Sequence, residues 1–371
     1  MKRIRVLFLI HTLGAGGAER ALVNLVNNMD QNKYDITVET MFDDGVNLNY
    51  LDSNINYISK KAPYPKGVSV LLKFIPPKLL YSHFIGKEKY DVMVAYIHGA
   101  PVKTLAGNKK AKTIAWIHNG NPETSTMFEN WLLKRNSIRD YAACDRIVGV
   151  CESVSTAFSR YTGIKDIKVI YNTLDVKHII EQSKEPTSIC FDSSYINIIS
   201  TGRLAKEKGY SRLISVCKKL KDKGYRFRLY IVGTGSELEK LNSKIKSYAL
   251  ESDIYLLGFQ ENPYAYVNAC DIFVCSSFTE GLSTATIEAL ILGKVIVSTD
   301  VSGAREIVGD SEYGLVVENS EEGLYKGLKE LLSDPQKIEY YKSKALERVA
   351  IFDTKKTVTA VEHLIDEVVN E

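Results

Sequence analysis

The chain has 371 residues, 45% hydrophobic and 25% charged, as in an ordinary soluble globular protein long enough for two domains. No apolar run approaches the roughly 20 residues needed to cross a bilayer, and Met1-Lys-Arg-Ile-Arg leads into a strand rather than a signal peptide. The net charge of +3 conceals an asymmetry: residues 1–185 hold 25 Lys+Arg against 18 Asp+Glu, the remainder 23 against 27. A basic N-terminal half implies an anionic partner on that side. The six cysteines (144, 151, 190, 217, 270, 275) form no Cys-x-x-Cys pair, which fits buried thiols of a cytoplasmic protein without structural zinc.

Strand and helix patterns alternate throughout, which argues for parallel sheets wound on both faces. In the first half the apolar strands fall at 4–10, 36–41, 92–96, 113–117, 146–150 and 168–170, with helices at 18–29 and 125–143. The second half repeats the scheme, with strands at 196–200, 228–232, 254–256, 272–275, 295–298 and 315–317. Its helices include 210–223, 237–250 and 321–332. The polar stretch 181–194 reads as a linker between domains 1–180 and 195–353, and a final helix occupies roughly 355–369 within a terminal segment 354–371.

Several turns follow strand ends, where open α/β sheets bind ligands. His11-Thr-Leu-Gly14-Ala-Gly16-Gly17-Ala-Glu19-Arg20 follows the first strand. Its spacing is not Gly-x-Gly-x-x-Gly, and no acidic residue clearly closes the second strand about 20 residues on, which counts against a dinucleotide site. His98 and His118 end two later strands; such histidines are most often structural. Gly202-Arg203-Leu-Ala-Lys-Glu-Lys208-Gly209 sets two cations between glycines. Fixed cations at a strand end would hold an anionic ligand.

The segment from Thr279 to Thr299 carries the most information. Glu280-Gly281-Leu282 leads to Ser283 or Thr284, either a natural N-cap, and then to an apolar helix bearing Glu288 and ending near Gly293. The unpaired amides at such a helix start favour phosphate. Glu288 lies roughly 7 Å along the axis from Ser283, about the reach from phosphate to ribose. Glu280 stays on the loop, within reach of the group beyond the diphosphate.

Glu280 and Glu288 in this frame resemble the Glu-x7-Glu signature of the retaining nucleotide-sugar glycosyltransferases, most closely family 4 with the GT-B fold. Ser283 departs from the Pro of many relatives. The resemblance covers essentially the whole chain and implies two Rossmann-like domains facing across a cleft, with the donor mostly on the second. It assigns Arg203 and Lys208 to the diphosphate, Glu280 to the donor sugar, Glu288 to the ribose, and His118 to the transferred sugar, with His98 secondary near the acceptor. Gly16 and Gly17 match the family's first loop, and Gly233 the turn that shapes the nucleotide pocket. Gly258 and Phe259 would contact the base through backbone, and Gly281, Leu282, Ser283 and Thr284 would line the donor site. Tyr171-Asn172-Thr173-Leu174-Asp175 resembles the segment by which family members leave the first domain, and the final helix would cross back to it.

Residues 60–89 hold seven lysines and one acid, Glu88, among apolar residues and the break Pro76-Pro77. They read either as ordinary helical cover or as a membrane-surface segment meeting anionic lipid. The function expected is metal-independent, retaining transfer of a hexose or N-acetylhexosamine, most simply from a UDP-sugar with no further cofactor. The acceptor is a glycan hydroxyl on a lipid carrier, in cell-surface polysaccharide synthesis at the inner face of the cell membrane, with no nucleic-acid partner. Alternatives are another GT-B activity, epimerisation or phosphorolysis, and a non-catalytic partner protein; a scaffold has no need of Arg203, Lys208, Glu280 and Glu288 together.

Overall fold

A computed structural model describes residues 2–43, 45–59, 72–108, 110–119 and 131–371, the side chains of 131–134 excepted. The chain divides into two compact units, Met1–Leu174 with Thr354–Glu371, and Asp175–Asp353.

The first unit is built on seven parallel strands: β1 (Ile4–Ile10), β2 (Tyr34–Thr40), β3 (Asn56–Ser59), β4 (Val92–Ala95), β5 (Lys112–Ile117), β6 (Arg146–Gly149) and β7 (Ile167–Val169). Their order is β3-β2-β1-β4-β5-β6-β7. Val6 to Ile10 are fully buried, as are Val92 to Ala95. Such unbroken apolar runs follow from helices covering both faces of a parallel sheet. The edge strand β3 has no such run, which is why the sequence pattern does not reveal it. Helices α1 (Gly17–Asn28), α2 (Pro77–Phe84), α3 (Ala100–Leu105), α4 (Trp131–Ala142) and α5 (Glu152–Thr162) connect the strands. Pro77 opens α2, a position where a missing N–H costs nothing.

The second unit holds six parallel strands: β8 (Ile196–Thr201), β9 (Phe227–Val232), β10 (Ile254–Gly258), β11 (Ile272–Cys275), β12 (Val295–Thr299) and β13 (Leu315–Val317). They run in the order β10-β9-β8-β11-β12-β13. The helices used below are α6 (Val176–Gln182), α7 (Tyr210–Asp222), α8 (Leu238–Ser247), α9 (Pro263–Asn268) and α10 (Thr284–Ile291). Ile198, Leu213, Phe227, Ile231, Val274, Val297 and Leu328 are among its core residues.

Both sheets reverse their winding once, between β1 and β4 and between β8 and β11. Loops at the carboxyl ends of such a pair diverge and leave a crevice, the usual ligand site of open α/β sheets.

The division falls after Leu174, and α6 belongs to the second unit. The stretch 181–194, a linker by composition, runs along that unit: Phe191 lies 4.7 Å from the Tyr230 ring, and the Ser188 and Tyr266 hydroxyls are 2.7 Å apart. The closing helix, α11 (Thr354–Asn370), belongs to the first unit. It buries Val358, Val361, Leu364, Ile365 and Val368, one apolar stripe at helical spacing. The Tyr34 hydroxyl donates to Asp366 Oδ1 at 2.8 Å, and the Asp30 amide to Glu362 Oε1 at 2.7 Å.

Candidate active site

In the second unit, the loops after β8 and β11 meet at the winding reversal. Lys208 Nζ donates to Glu280 Oε1 at 2.7 Å, and the Ser277 hydroxyl donates to the same oxygen at 2.5 Å. The pair is largely shielded, with 26% of the Lys208 side chain and 13% of Glu280 exposed. Backbone contacts fix the two loops to each other: the Ser276 hydroxyl donates to the Lys208 carbonyl at 2.8 Å and the Phe278 amide to the Glu207 carbonyl at 2.8 Å. Gly209, at φ +68°, lies so near that a Cβ there would stand 2.0 Å from the Ser276 carbonyl oxygen.

Helix α10 starts beside Glu280. Ser283 caps it, its Oγ accepting from the Thr286 hydroxyl at 2.9 Å and the Thr286 amide at 3.4 Å. Glu288 is half-buried within the same helix. Leu282 is buried, while Gly281 and Thr284 are half-buried. Arg203 is different: its side chain is 73% exposed and pairs with Glu207 at 2.8 Å, a surface ion pair that contributes little to stability. The loops after β9 and β10 join the same edge. Gly233, at φ +140°, donates to the Gly258 carbonyl at 2.7 Å, and a Cβ on it would lie 2.0 Å from the Gly202 oxygen. Phe259 projects 61% exposed beside them.

A cavity of about 230 Å³ adjoins Tyr210, Arg212 and Phe278, but none of Arg203, Lys208, Glu280 or Glu288 lines it. The void bordered by Lys208, Ser277, Glu280 and Ser283 measures only about 10 Å³, room for one water at most. Size alone would point to the larger space. Both are lined by ionic groups, Lys206, Arg212, Glu237, Lys240 and Glu321 around the larger and Lys208 with Glu280 at the smaller, but only the smaller adjoins the capped start of α10.

Two supporting residues escape a motif-based reading. Arg212 is buried near the start of α7; Nε and Nη2 donate to the Ser276 carbonyl at 2.9 and 2.7 Å, and Nη2 also to the Ser277 carbonyl at 2.6 Å. Thr299 Oγ1 donates to the Ser277 carbonyl at 2.7 Å. Their signal in sequence is faint: a charged residue within the apolar stripe of α7, and a threonine closing an apolar strand.

In the first unit, His11 follows β1, His98 follows β4 and His118 follows β5, on three adjacent strands. Burial pushes His11 and His118 down to about 3, with His98 adding repulsion to each, and burial lowers His98 too. All three are therefore neutral at physiological pH. The His118 ring is 5.0 Å from Tyr96, and its Nε2 is buried without a hydrogen-bond partner among the described residues. Gly16 caps α1 and Gly17 begins it. A Cβ on Gly16 would stand 2.1 Å from the Glu19 carboxylate. Asn47 Nδ2 holds the Gly14 carbonyl of this turn.

The model of glycosyl transferases group 1 matches residues 182–348, and that of glycosyltransferase family 4 matches residues 15–178. The chain belongs to the GT-B, family 4-like glycosyltransferases. It is 29% identical over 365 residues to a Campylobacter jejuni protein, covering 94% of this chain and 95% of that one. The relative is N-acetylgalactosamine-N,N'-diacetylbacillosaminyl-diphospho-undecaprenol 4-alpha-N-acetylgalactosaminyltransferase. It is 24% identical to the Rhizobium meliloti lipopolysaccharide core biosynthesis glycosyltransferase LpsE, over 86% of each chain. Among solved structures, Anabaena HepE in complex with UDP superposes with a TM-score of 0.77 at 19% identity, covering 98% of this chain and all of the other. The two parallel sheets of this glycosyltransferase are thus those of the GT-B fold.

Proposed function

We propose that this glycosyltransferase moves a hexose or N-acetylhexosamine from a UDP-sugar to a hydroxyl of a lipid-linked glycan, with retention and without a metal. The carrying observation is the union of Lys208 and Glu280 beside the capped start of α10. A diphosphate set against that helix start meets backbone amides and the positive end of the helix dipole. Lys208 and Arg203 then neutralise the charge that grows as the nucleoside diphosphate departs. The cations supply that neutralisation themselves, so the nucleotide-sugar is the only small molecule required. Glu280 orients the sugar through its hydroxyls, and Glu288 takes the ribose. Gly233, Gly258 and Phe259 shape the base site. In a front-face substitution, the leaving oxygen takes the proton of the incoming hydroxyl as the new glycosidic bond forms on the same face. From the first unit we assign His118 to a substrate hydroxyl, since its Nε2 has no hydrogen-bond partner among the described residues.

UDP is favoured by the UDP-bound solved neighbours, and a lipid carrier by relatives named for diphospho-undecaprenol substrates. Among the described residues, no helix is long and apolar enough to cross a membrane. Contact with a membrane surface at the cytoplasmic face is instead assigned to the lysine-rich segment. Phe74 and Leu79 are 71% and 59% exposed there, beside exposed Lys78, Lys87 and Lys89. Lys66, in the same segment, lies outside the described residues.

The test is turnover of UDP-, GDP- and ADP-sugars in excess EDTA with mass-spectrometric readout, and with the anomeric configuration of the product read by NMR. Transfer from a UDP-sugar with retention is expected. Activity restored only by manganese or magnesium removes the metal-free mechanism, inversion removes the front-face one, and preference for GDP or ADP removes the uridine assignment.

A further inference from the structure

Glu280 presents its two carboxylate oxygens to different surroundings. Both described hydrogen bonds, from Lys208 and from Ser277, fall on Oε1. Oε2 has no hydrogen-bond partner among the described residues. A carboxylate held at one oxygen by two donors cannot rotate freely, so its second oxygen points along a fixed direction.

The Ser277 donor is itself immobilised. It is 2% exposed two residues past β11, and its carbonyl accepts from Thr299 Oγ1 at 2.7 Å and from Arg212 Nη2 at 2.6 Å. Arg212 is 5% exposed and takes the Ser276 carbonyl through two nitrogens, while its guanidinium carbon stands 3.9 Å over the Phe278 ring. A buried guanidinium is costly unless it is hydrogen-bonded. Arg212 meets that requirement by bonding the backbone of the loop that carries Glu280. A planar fork is suited to gripping two adjacent carbonyls, which the single ammonium of lysine cannot match.

We propose that Arg212, Thr299 and Ser277 form a positioning relay that locks Glu280 through Oε1 and commits Oε2 to the donor sugar. Arg212 and Thr299 fix the Ser277 backbone, and Ser277 fixes the carboxylate. None of the three touches substrate; each is a positioning residue. The inference rests on the assignment of Glu280 to the sugar. It adds which oxygen makes that contact and what aims it. Because Lys208 also bonds Oε1, movement of Lys208 toward a diphosphate leaves the Ser277 hydroxyl as the remaining anchor of Glu280.

The test combines kinetics with a crystal structure. Ser277→Ala is expected to lower kcat for the donor found above by about tenfold, since small displacements of a positioning group are costly. Affinity for UDP alone, measured by calorimetry, is expected to stay within about twofold, because UDP lacks the sugar. In an Glu280→Ala background, Ser277→Ala should have no further effect on kcat, as two residues acting through one group are not additive. Arg212→Met should lower kcat in the same manner, and Arg212→Lys should recover part of the loss. The UDP-bound crystal structure of Ser277→Ala, with Lys208 drawn to the diphosphate, should show the Glu280 carboxylate turned from its orientation in the UDP-bound wild type. Full additivity of Ser277→Ala and Glu280→Ala, or a wild-type kcat in Ser277→Ala, overturns the relay. An unmoved carboxylate overturns it whatever the activity. Absence of turnover by the wild type with every nucleotide-sugar sinks the functional reading instead, and the crystal structure still decides the relay.

Discussion

The carboxyl edges of the two sheets solve opposite problems. In the second unit, Lys208, Glu280, Arg203 and Glu207 are ionic and pair with one another. In the first, His11, His98 and His118 sit on adjacent strand ends and are kept uncharged by burial. The winding reversal is common to both sheets, so topology alone does not decide the chemistry. The difference is in what each edge surrounds. Groups that remain partly solvated and mutually paired can keep their charge and exchange a partner for an anionic ligand. Imidazoles without a carboxylate partner lose their proton instead. On the proposed function, the charged edge takes the diphosphate and the neutral edge the sugar hydroxyls.

The sharpest way to break the charged edge is through its backbone. Gly209→Ala places a side chain at φ +68° and 2.0 Å from the Ser276 oxygen, so the loops of Lys208 and Glu280 must separate. A destabilisation of about 4 kcal/mol is expected from the strained backbone and the overpacking together, read as a shift in denaturant midpoint. Gly163→Ala is the control, since it has a similar φ of +76° but nothing within 4 Å. Equal losses in the two variants would show that close approach plays no part.

Removing one charge comes next. Lys208→Ala is expected to lower turnover roughly 10²-fold, about 3 kcal/mol at the transition state. Arg203→Ala should act in the same direction while leaving the melting temperature unchanged, because its present partner is an exposed carboxylate. Near-normal rates in both variants would remove the diphosphate from this edge.

The relation of these residues to the sequence is uneven. Lys208 and Glu280 stand 72 positions apart, yet each could be placed, because both follow an apolar strand and adjoin a glycine. The strands themselves were legible for the same reason: a parallel strand buried on both faces is an unbroken apolar run. Arg212 and Ser277 were not legible. What they do depends on carbonyls of a distant loop, and no periodicity encodes that. Edge strand β3 and helix α6 escaped for a related reason, since Asn56-Tyr-Ile-Ser and the stretch before Gln182 lack a strong apolar pattern. The 181–194 stretch reads as a linker by composition, but the contact of Phe191 with Tyr230 ties it to the second unit.

The basic character of the first unit offers a third test. Lys78 and Lys87 are exposed beside Leu79 on and after α2. Changing both to Glu is expected to weaken sedimentation with anionic liposomes at low salt by at least about 2 kcal/mol, at about 1 kcal/mol per basic residue. Donor hydrolysis should be unaffected. Binding should fade for the wild type as salt screens the charges. Indifference of the wild type to anionic liposomes would make the segment helical cover and favour a soluble acceptor.

The neutral edge is tested most gently, by pH. The folded-state value of His118 is about 3, below the ordinary 6.5 expected of the unfolded chain. Below about pH 6.5 the unfolded chain therefore binds a proton that the folded chain refuses. Stability is full above that pH and falls as pH drops toward 3, by about 1 kcal/mol per pH unit for one such histidine. Burial raises Asp140 to about 6, and this carboxyl acts in the opposite sense: the folded chain holds its proton more tightly, so acidification between about pH 6 and 4 adds stability. The total curve mixes the two, and only a difference between variants isolates His118. His118→Gln keeps a neutral hydrogen-bonding group but cannot titrate. Relative to this variant, the wild type should lose stability steadily from pH 6.5 to 5 in urea titrations. Parallel curves for the two proteins would mean that His118 is protonated in the folded chain, and the contrast between the two edges would then collapse.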